Sequence, residues 1–215
     1  MISHSFEGAV FDVDGTILDS MEVWGKATNR FYNEHNLILS DDEASLFQSM
    51  TLEESIPYII KTHNLNMTSG EVEKILKSFI VHSYKYEIPA KPYVIEYIKK
   101  IHKDGIKIAI ATSGYPEFCK SAFERLGISD CISAYALSSE VGVNKSNPDV
   151  YLLAASRINK SPEKCIVFED IAAGIRGAKK GGFTTCAVAD KSNISETDIL
   201  KIEADIYISS WKELL

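Results

Sequence analysis

No stretch of this sequence stays apolar for long. Uninterrupted runs such as 108–111 are strand-sized, far short of the roughly 20 residues that a membrane-crossing helix needs. The opening Met1-Ile2-Ser3-His4-Ser5-Phe6-Glu7 lacks a basic head followed by an apolar block, so neither a membrane span nor an export signal is expected. Positive charge is short as well: 23 Lys and Arg stand against 30 Asp and Glu, a formal −7. That balance leaves no electrostatic footprint for nucleic acid or an anionic bilayer, although a local pocket can still take a small anion. Cysteine is scarce. Cys119, Cys131, Cys165 and Cys186 have neither zinc-site nor redox-motif spacing, and the chain is no small disulfide scaffold. Each has apolar neighbours, as a reduced, buried thiol does, and a cytoplasmic location is the expectation. What remains, 45% apolar and 25% charged over 215 residues, suits one globular domain with an insert, or two small domains.

Two textures alternate along the chain. Short apolar runs rich in Val, Ile and Ala stand at 9–13, 106–112, 132–137, 165–168, 185–189 and 206–208, with helical patterns between them. Continuous hydrophobicity marks strands buried on both faces. Helices between such strands predict βαβ units and an α/β, doubly wound parallel sheet. Residues 20–87 differ and contain no convincing strand. Leu52, Ile56, Ile59 and Ile60 share one helical face, as do Val72, Ile75, Leu76, Phe79 and Ile80, and Thr68 or Ser69 can cap the second helix. A helical subdomain inserted after the first strand is expected, with the return at Ile88-Pro89-Ala90-Lys91-Pro92, where two prolines stiffen the crossing. The expected division is 1–18 with 89–215 as the α/β core, and 19–88 as the insert.

The sharpest chemistry lies at the end of the first strand. If the strand runs on through Asp12 and Asp14, both carboxylates point to one face, their Cα atoms about 6.5–7 Å apart. They emerge at the carboxyl end, where open α/β sheets bind ligands, and Gly15 follows for a tight turn. Two carboxylates about 4 Å apart repel by roughly 4 kcal/mol at an effective dielectric near 20. One must be protonated or a cation must lie between them, and Mg²⁺ suits carboxylate oxygens, waters and a substrate phosphate. Alone, Asp-x-Asp-Gly is as often a helix-capping turn. Three later strand ends carry matching groups. Thr112-Ser113-Gly114 precedes a helix opened by Pro116 and offers donors to an anion, or an ordinary cap. Lys145 stands before Asn147-Pro148-Asp149 at another helix start; elsewhere it would be one more solvated charge. Glu169-Asp170 follows the 165–168 run, either as caps or as a second acidic strand end for the same metal.

Asp12-Val13-Asp14-Gly15-Thr16, Thr112-Ser113-Gly114, Lys145 through Pro148-Asp149, and Glu169-Asp170 together resemble the four motifs of the haloacid dehalogenase superfamily. Within it the chain resembles the β-phosphoglucomutase-like phosphatases, which insert a helical cap between the first two motifs. The resemblance implies Asp12 as nucleophile, forming an aspartyl-phosphate, and Asp14 as the acid for the leaving alcohol and then the base for water. It implies Mg²⁺ held by Asp12, Asp170 and the backbone carbonyl of Asp14, with Glu169 as a direct or supporting ligand. Thr112, Ser113 and Gly114 would bind the phosphoryl group, and Lys145 would neutralise charge on it and on Asp12. The cap would close over the site, with residues 17–20 and 89–92 as hinges.

The third motif reads Lys145-Ser146-Asn147-Pro148-Asp149, where Pro commonly follows the Lys directly; the ammonium is unchanged. The mutases carry a proton-controlling His on the first cap helix, and Trp24 stands at that place. Ser49 and Leu52 occupy the places of a Gly and a phosphate-gripping Arg. Lacking that His and Arg, the chain is expected to be a Mg²⁺-dependent phosphatase of a small phosphorylated metabolite, for example a sugar phosphate. Trp24, Gln48 and Met50, together with Phe47, are candidate substrate contacts in the cap; packing inside the cap is the alternative for Trp24 and Phe47. No nucleic-acid or membrane partner is expected, and the protein is expected to be a monomer or weak dimer. A phosphosugar mutase is the nearest alternative. A phospho-accepting signalling module would not carry the insert, and a non-catalytic scaffold would not keep every charged group of the set.

Overall fold

The computed structural model describes residues 6–47 and 52–215. In chain order the main elements are β1 (Gly8–Phe11), α1 (Val23–Glu34), α2 (Asp41–Phe47), α3 (Leu52–Thr62), α4 (Ser69–Tyr86), α5 (Val94–Lys103), β2 (Lys107–Thr112), α6 (Pro116–Leu126), β3 (Ile132–Leu137), α7 (Ser138–Val141), α8 (Asp149–Arg157), β4 (Cys165–Glu169), α9 (Ala172–Lys180), β5 (Thr184–Val188), α10 (Thr197–Glu203) and β6 (Ile206–Ile208). They separate into two compact units, Met1–Met21 with Ile88–Leu215, and Glu22–Glu87.

The first unit is an α/β fold whose six strands pair in parallel in the order β3-β2-β1-β4-β5-β6. All four residues of β1 and all five of β4 are buried, which is why these segments read as unbroken apolar runs. One face of the sheet packs Val10 and Val167 against Val150, Tyr151, Ala154 and Ala178. On the other face Phe11 stacks on Phe168 at 4.6 Å between ring centroids, and Trp211 lies 5.0 Å from Phe168 and 5.8 Å from Phe11. The indole N–H of Trp211 donates to the Thr16 carbonyl at 3.2 Å, tying the end of the chain to the loop after β1. The chain winds outward from β1 through β2 and β3, then returns to β1's other side as β4. The reversal falls between β1 and β4, whose carboxyl ends are the usual ligand position in such sheets.

The second unit is helical. Val23, Ala27, Phe31 and Tyr32 of α1 are buried, as are Val72, Leu76, Phe79, Ile80 and Tyr84 of α4, and recurrence about once per helical turn makes each set one apolar stripe. Thr68 caps α4 in a reciprocal capping box with Glu71. The buried Glu43 accepts from Tyr32 (3.3 Å) and the Ser40 hydroxyl (3.2 Å), and its Oε1 lies 2.9 Å from His63 Nε2. Burial alone would raise the Glu43 carboxyl; His63 and Ser40 outweigh it and hold the group below its ordinary value.

Two measurements test this packing. Trp211→Ala should cost about 3–5 kcal/mol of unfolding free energy, read by urea denaturation with circular dichroism; a cost under about 1 kcal/mol would contradict the aromatic core. Because the folded-state pKa of Glu43 is depressed, its stabilisation is present above the unfolded value near 4.3 and fades as pH falls through the folded one. The wild-type unfolding midpoint should therefore drop towards that of Glu43→Gln below about pH 4, and a constant gap would argue against the network.

Candidate active site

β1 ends at Phe11, two residues earlier than its hydrophobic run predicts. Asp12 still follows the sheet, its N–H donating to the Phe168 carbonyl at 3.0 Å. The chain then turns on itself: the N–H groups of Ile17 and Leu18 both donate to the Val13 carbonyl (2.9 and 2.8 Å), and Gly15 N–H donates to Leu18 (2.9 Å). Gly15 adopts φ +89°, and a Cβ there would stand 2.3 Å from Asp170 Oδ2. Only glycine allows both the left-handed turn and the close approach. Asp12 and Asp14 are therefore not neighbours on one strand face, as an unbroken strand requires; the Gly15 turn carries Asp14 into a loop.

The acidic cluster draws instead on both central strands. Asp12, Glu169 and Asp170 are buried and each presents a carboxylate oxygen within 4.8 Å of the others. The Lys145 ammonium, 7% exposed, pairs with Asp12 and lies 2.7 Å from Glu169 Oε1. Tyr151 donates its hydroxyl to the same Glu169 oxygen at 2.8 Å, while Glu169 Oε2 is buried with no partner among the described residues. Asp170 has neutral donors: Thr16 Oγ1 at 3.2 Å on Oδ1 and Asn193 Nδ2 at 2.6 Å on Oδ2.

Burial, reinforced by Asp12 and Glu169, pushes the Asp170 carboxyl well above the ordinary aspartate range. Burial likewise raises Glu169, against the pull of Lys145. For Lys145 burial acts downward, but Asp12 and Glu169 overcome it and hold the ammonium above its usual value. Three carboxylates against one ammonium leave a formal charge of −2 when all are ionised, which a divalent cation cancels. Hard oxygen donors with one buried oxygen unpartnered are the donor set that Mg²⁺ takes, so these residues fit that ion.

Asp14 stands outside this carboxylate cluster; its Oδ1 accepts the Ser20 hydroxyl at 2.5 Å. Its other oxygen lies beside the loop after β2, since a Cβ on Gly114 would be 3.3 Å from both Asp14 Oδ2 and Thr112 Oγ1. Thr112 is 2% exposed and its hydroxyl accepts from Gly114 N–H at 2.9 Å. The Ser113 hydroxyl lies 3.0 Å from that of Ser138. Thus Asp12, Lys145, Glu169 and Asp170 share one centre, with Asp14, Thr112 and Gly114 adjoining through the loops. In the helical unit Trp24 lies on α1, 41% exposed. Phe47 packs edge-on to Tyr32 and Tyr58. Gln48, Ser49 and Met50 lie outside the described residues.

Sequence reasoning missed Tyr151, Ser20, Asn193 and Lys91. Tyr151 stands two residues after Asp149 in a helix already singled out, and a polar tip on an apolar helical stripe is the signal that could have found it. Asn193 and Lys91 carry no local signal.

An acidic centre with a paired lysine stands at the switch point of a doubly wound α/β sheet, the place where such folds bind ligands. The chain belongs to the haloacid dehalogenase-like hydrolases, whose family model matches residues 9–188. It is similar to validoxylamine A 7'-phosphate phosphatase of Streptomyces hygroscopicus subsp. limoneus, 24% identical over 201 residues and covering 91% of this chain and 92% of that protein. It is also similar to hexitol phosphatase A of Escherichia coli, 25% identical over 197 residues, 90% of this chain and 89% of that one. Among solved structures, a Thermotoga maritima protein assigned as a β-phosphoglucomutase superposes with a TM-score of 0.85 at 23% identity, covering 97% of this chain and 96% of that one. Among the described residues no helix is long and apolar enough to cross a membrane.

Gly15→Ala tests the turn. Forcing a Cβ into φ +89° against Asp170 should cost about 1–3 kcal/mol, measured by urea unfolding. Unchanged stability would mean the loop is not held as described.

Proposed function

We propose that the protein is a phosphomonoester hydrolase acting on a small, polar phosphorylated metabolite of the sugar-phosphate class, through an aspartyl-phosphate on Asp12. One observation carries the reading: Asp12, the carboxylates of Glu169 and Asp170, and the Lys145 ammonium converge on a single buried centre. The family membership and the phosphatases among the relatives support it. The mutase's His has no counterpart at Trp24, which favours hydrolysis over phosphate exchange between two positions of a sugar.

Asp12 attacks phosphorus with a carboxylate oxygen, and the bond from phosphorus to the leaving alcohol oxygen breaks. Asp14, held by Ser20, gives its proton to that oxygen and in the second half takes one from the attacking water, so Asp12 is restored and inorganic phosphate leaves. Thr112 and the donors of Ser113 and Gly114 receive the phosphoryl oxygens. Lys145, already paired with Asp12, orients the nucleophile and offsets the charge that gathers on the transferring group. Asp12, Asp170 and Glu169, with the Asp14 backbone carbonyl, would hold Mg²⁺, which would supply positive charge to stabilise the phosphoryl group. We assign substrate selection to the helical unit, and the buried, free cysteines suit a reducing compartment such as the cytoplasm.

Phosphate release from p-nitrophenyl phosphate and a panel of sugar phosphates tests this reading. Asp12→Asn should lower turnover by about 10²-fold or more with the circular dichroism spectrum unchanged. EDTA should stop hydrolysis and Mg²⁺ restore it. A hexose 1-phosphate isomerised in the presence of a bisphosphate, with no free phosphate released, would replace the hydrolase with a mutase.

A further inference from the structure

Asp170 is gripped from behind by the loop that follows β5. Asn193 lies in a short turn at residues 191–196, with φ −112° and ψ 26°, outside helical values. Its amide nitrogen lies 2.6 Å from Asp170 Oδ2 and 3.4 Å from the Asp170 carbonyl. Only the NH₂ end of an asparagine can donate to a carboxylate, so the orientation of the amide follows. The same turn holds the chain just beyond Asp170 through Glu196, whose carboxylate accepts the Ala172 N–H at 2.7 Å.

The turn is itself anchored. Asp190 Oδ1 accepts the Ser192 N–H at 2.8 Å and the Ser192 hydroxyl at 2.5 Å. Asp190 Oδ2 pairs with the Lys91 ammonium at 2.5 Å, and the Asp190 side chain is 1% exposed. Lys91 spends its other two protons on the carbonyls of Gly15 (2.8 Å) and Ala189 (2.7 Å). One ammonium therefore ties the loop after β1 to the loop after β5, and Asp170 sits between them, held on one oxygen by Thr16 and on the other by Asn193.

We propose that Asn193 is a positioning residue: fixed by the Lys91–Asp190 pair, it locks the Asp170 carboxylate in the orientation from which it holds a divalent cation. The inference rests on the metal-dependent reading above and deepens it. A carboxylate beside two others is driven by repulsion to rotate away, and a neutral donor behind it opposes that rotation without adding charge. Outer partners of this kind change metal affinity by about 10–100-fold when removed.

Calorimetric titration of the purified protein with MgCl₂, in the absence of substrate, is the test. Wild type should bind the ion. Asn193→Leu keeps the shape and loses the donor, and should raise the dissociation constant about tenfold or more with little change in melting temperature. The Mg²⁺ needed for half-maximal p-nitrophenyl phosphate hydrolysis should rise by a similar factor, while the rate at saturating Mg²⁺ recovers, which a purely structural defect would not allow. Asn193→Ala keeps the test open if leucine is not accommodated. The double variant Lys91→Met with Asp190→Asn, which leaves no buried charge unpaired, should weaken Mg²⁺ binding in the same direction. Wild type binding Mg²⁺ with Asn193→Leu and Asn193→Ala binding it equally well would overturn this proposal alone. A wild-type protein that binds no Mg²⁺ would remove the metal reading and this proposal with it.

Discussion

Placing three carboxylates in one buried space against a single ammonium is the constraint on which the rest of the structure turns. Asp12, Glu169 and Asp170 repel one another, and burial strengthens the repulsion by removing the water that would screen it. Lys145 answers part of the excess by bridging Asp12 and Glu169, and Tyr151 adds a neutral donor to the same Glu169 oxygen. Breaking a buried charge pair of this kind leaves an uncompensated ion and is far costlier than losing a surface one. The centre is thus destabilising where it stands, and the surrounding fold must supply the energy and rigidity that keep it assembled.

That supply comes from apolar packing directly beneath the charges. Phe11 and Phe168 precede Asp12 and Glu169 on adjacent strands and stack on each other and on Trp211, so the residues that carry the acids rise from the best-packed part of the sheet. Trp211 also holds the Thr16 carbonyl, and Thr16 in turn holds Asp170. On the helix side α9 passes so close to Glu169 that a Cβ on Gly174 would stand 2.4 Å from its carboxyl carbon. Glycine at that position lets the helix cover the carboxylate, which is how Glu169 comes to be fully buried.

Most of the sheet was legible in the amino-acid sequence because its strands are buried on both faces. Residues 132–137 and 206–208 form strands with the bounds their hydrophobicity predicts, β2 and β4 differ by one residue at one end, and β5 is shifted by one residue at both ends. The helix start at Thr68 or Ser69, where Thr68 is the cap, and the Pro116 helix start were equally readable, since both are local rules of backbone hydrogen bonding. The end of β1 was not, because an apolar Val13 looks like continued strand while the Gly15 turn ends the pairing at Asp12. Lys91 and Asn193 were invisible for a different reason: each acts on a partner 99 or 23 residues away in the chain, and nothing near them marks the distance.

By itself the sequence determined which chemical groups are available and that each stands at the carboxyl end of a buried strand or at a helix start, because hydrophobic period and capping residues are properties of short segments. Only the tertiary structure decided which carboxylates meet. It set Asp14 apart from the cluster, joined Asp12 to Glu169 and Asp170, and drew Lys145 between the first two. Those choices depend on parallel pairing of β1 with β4 and on a turn at Gly15, and such distances between remote segments are settled by packing rather than by any local preference.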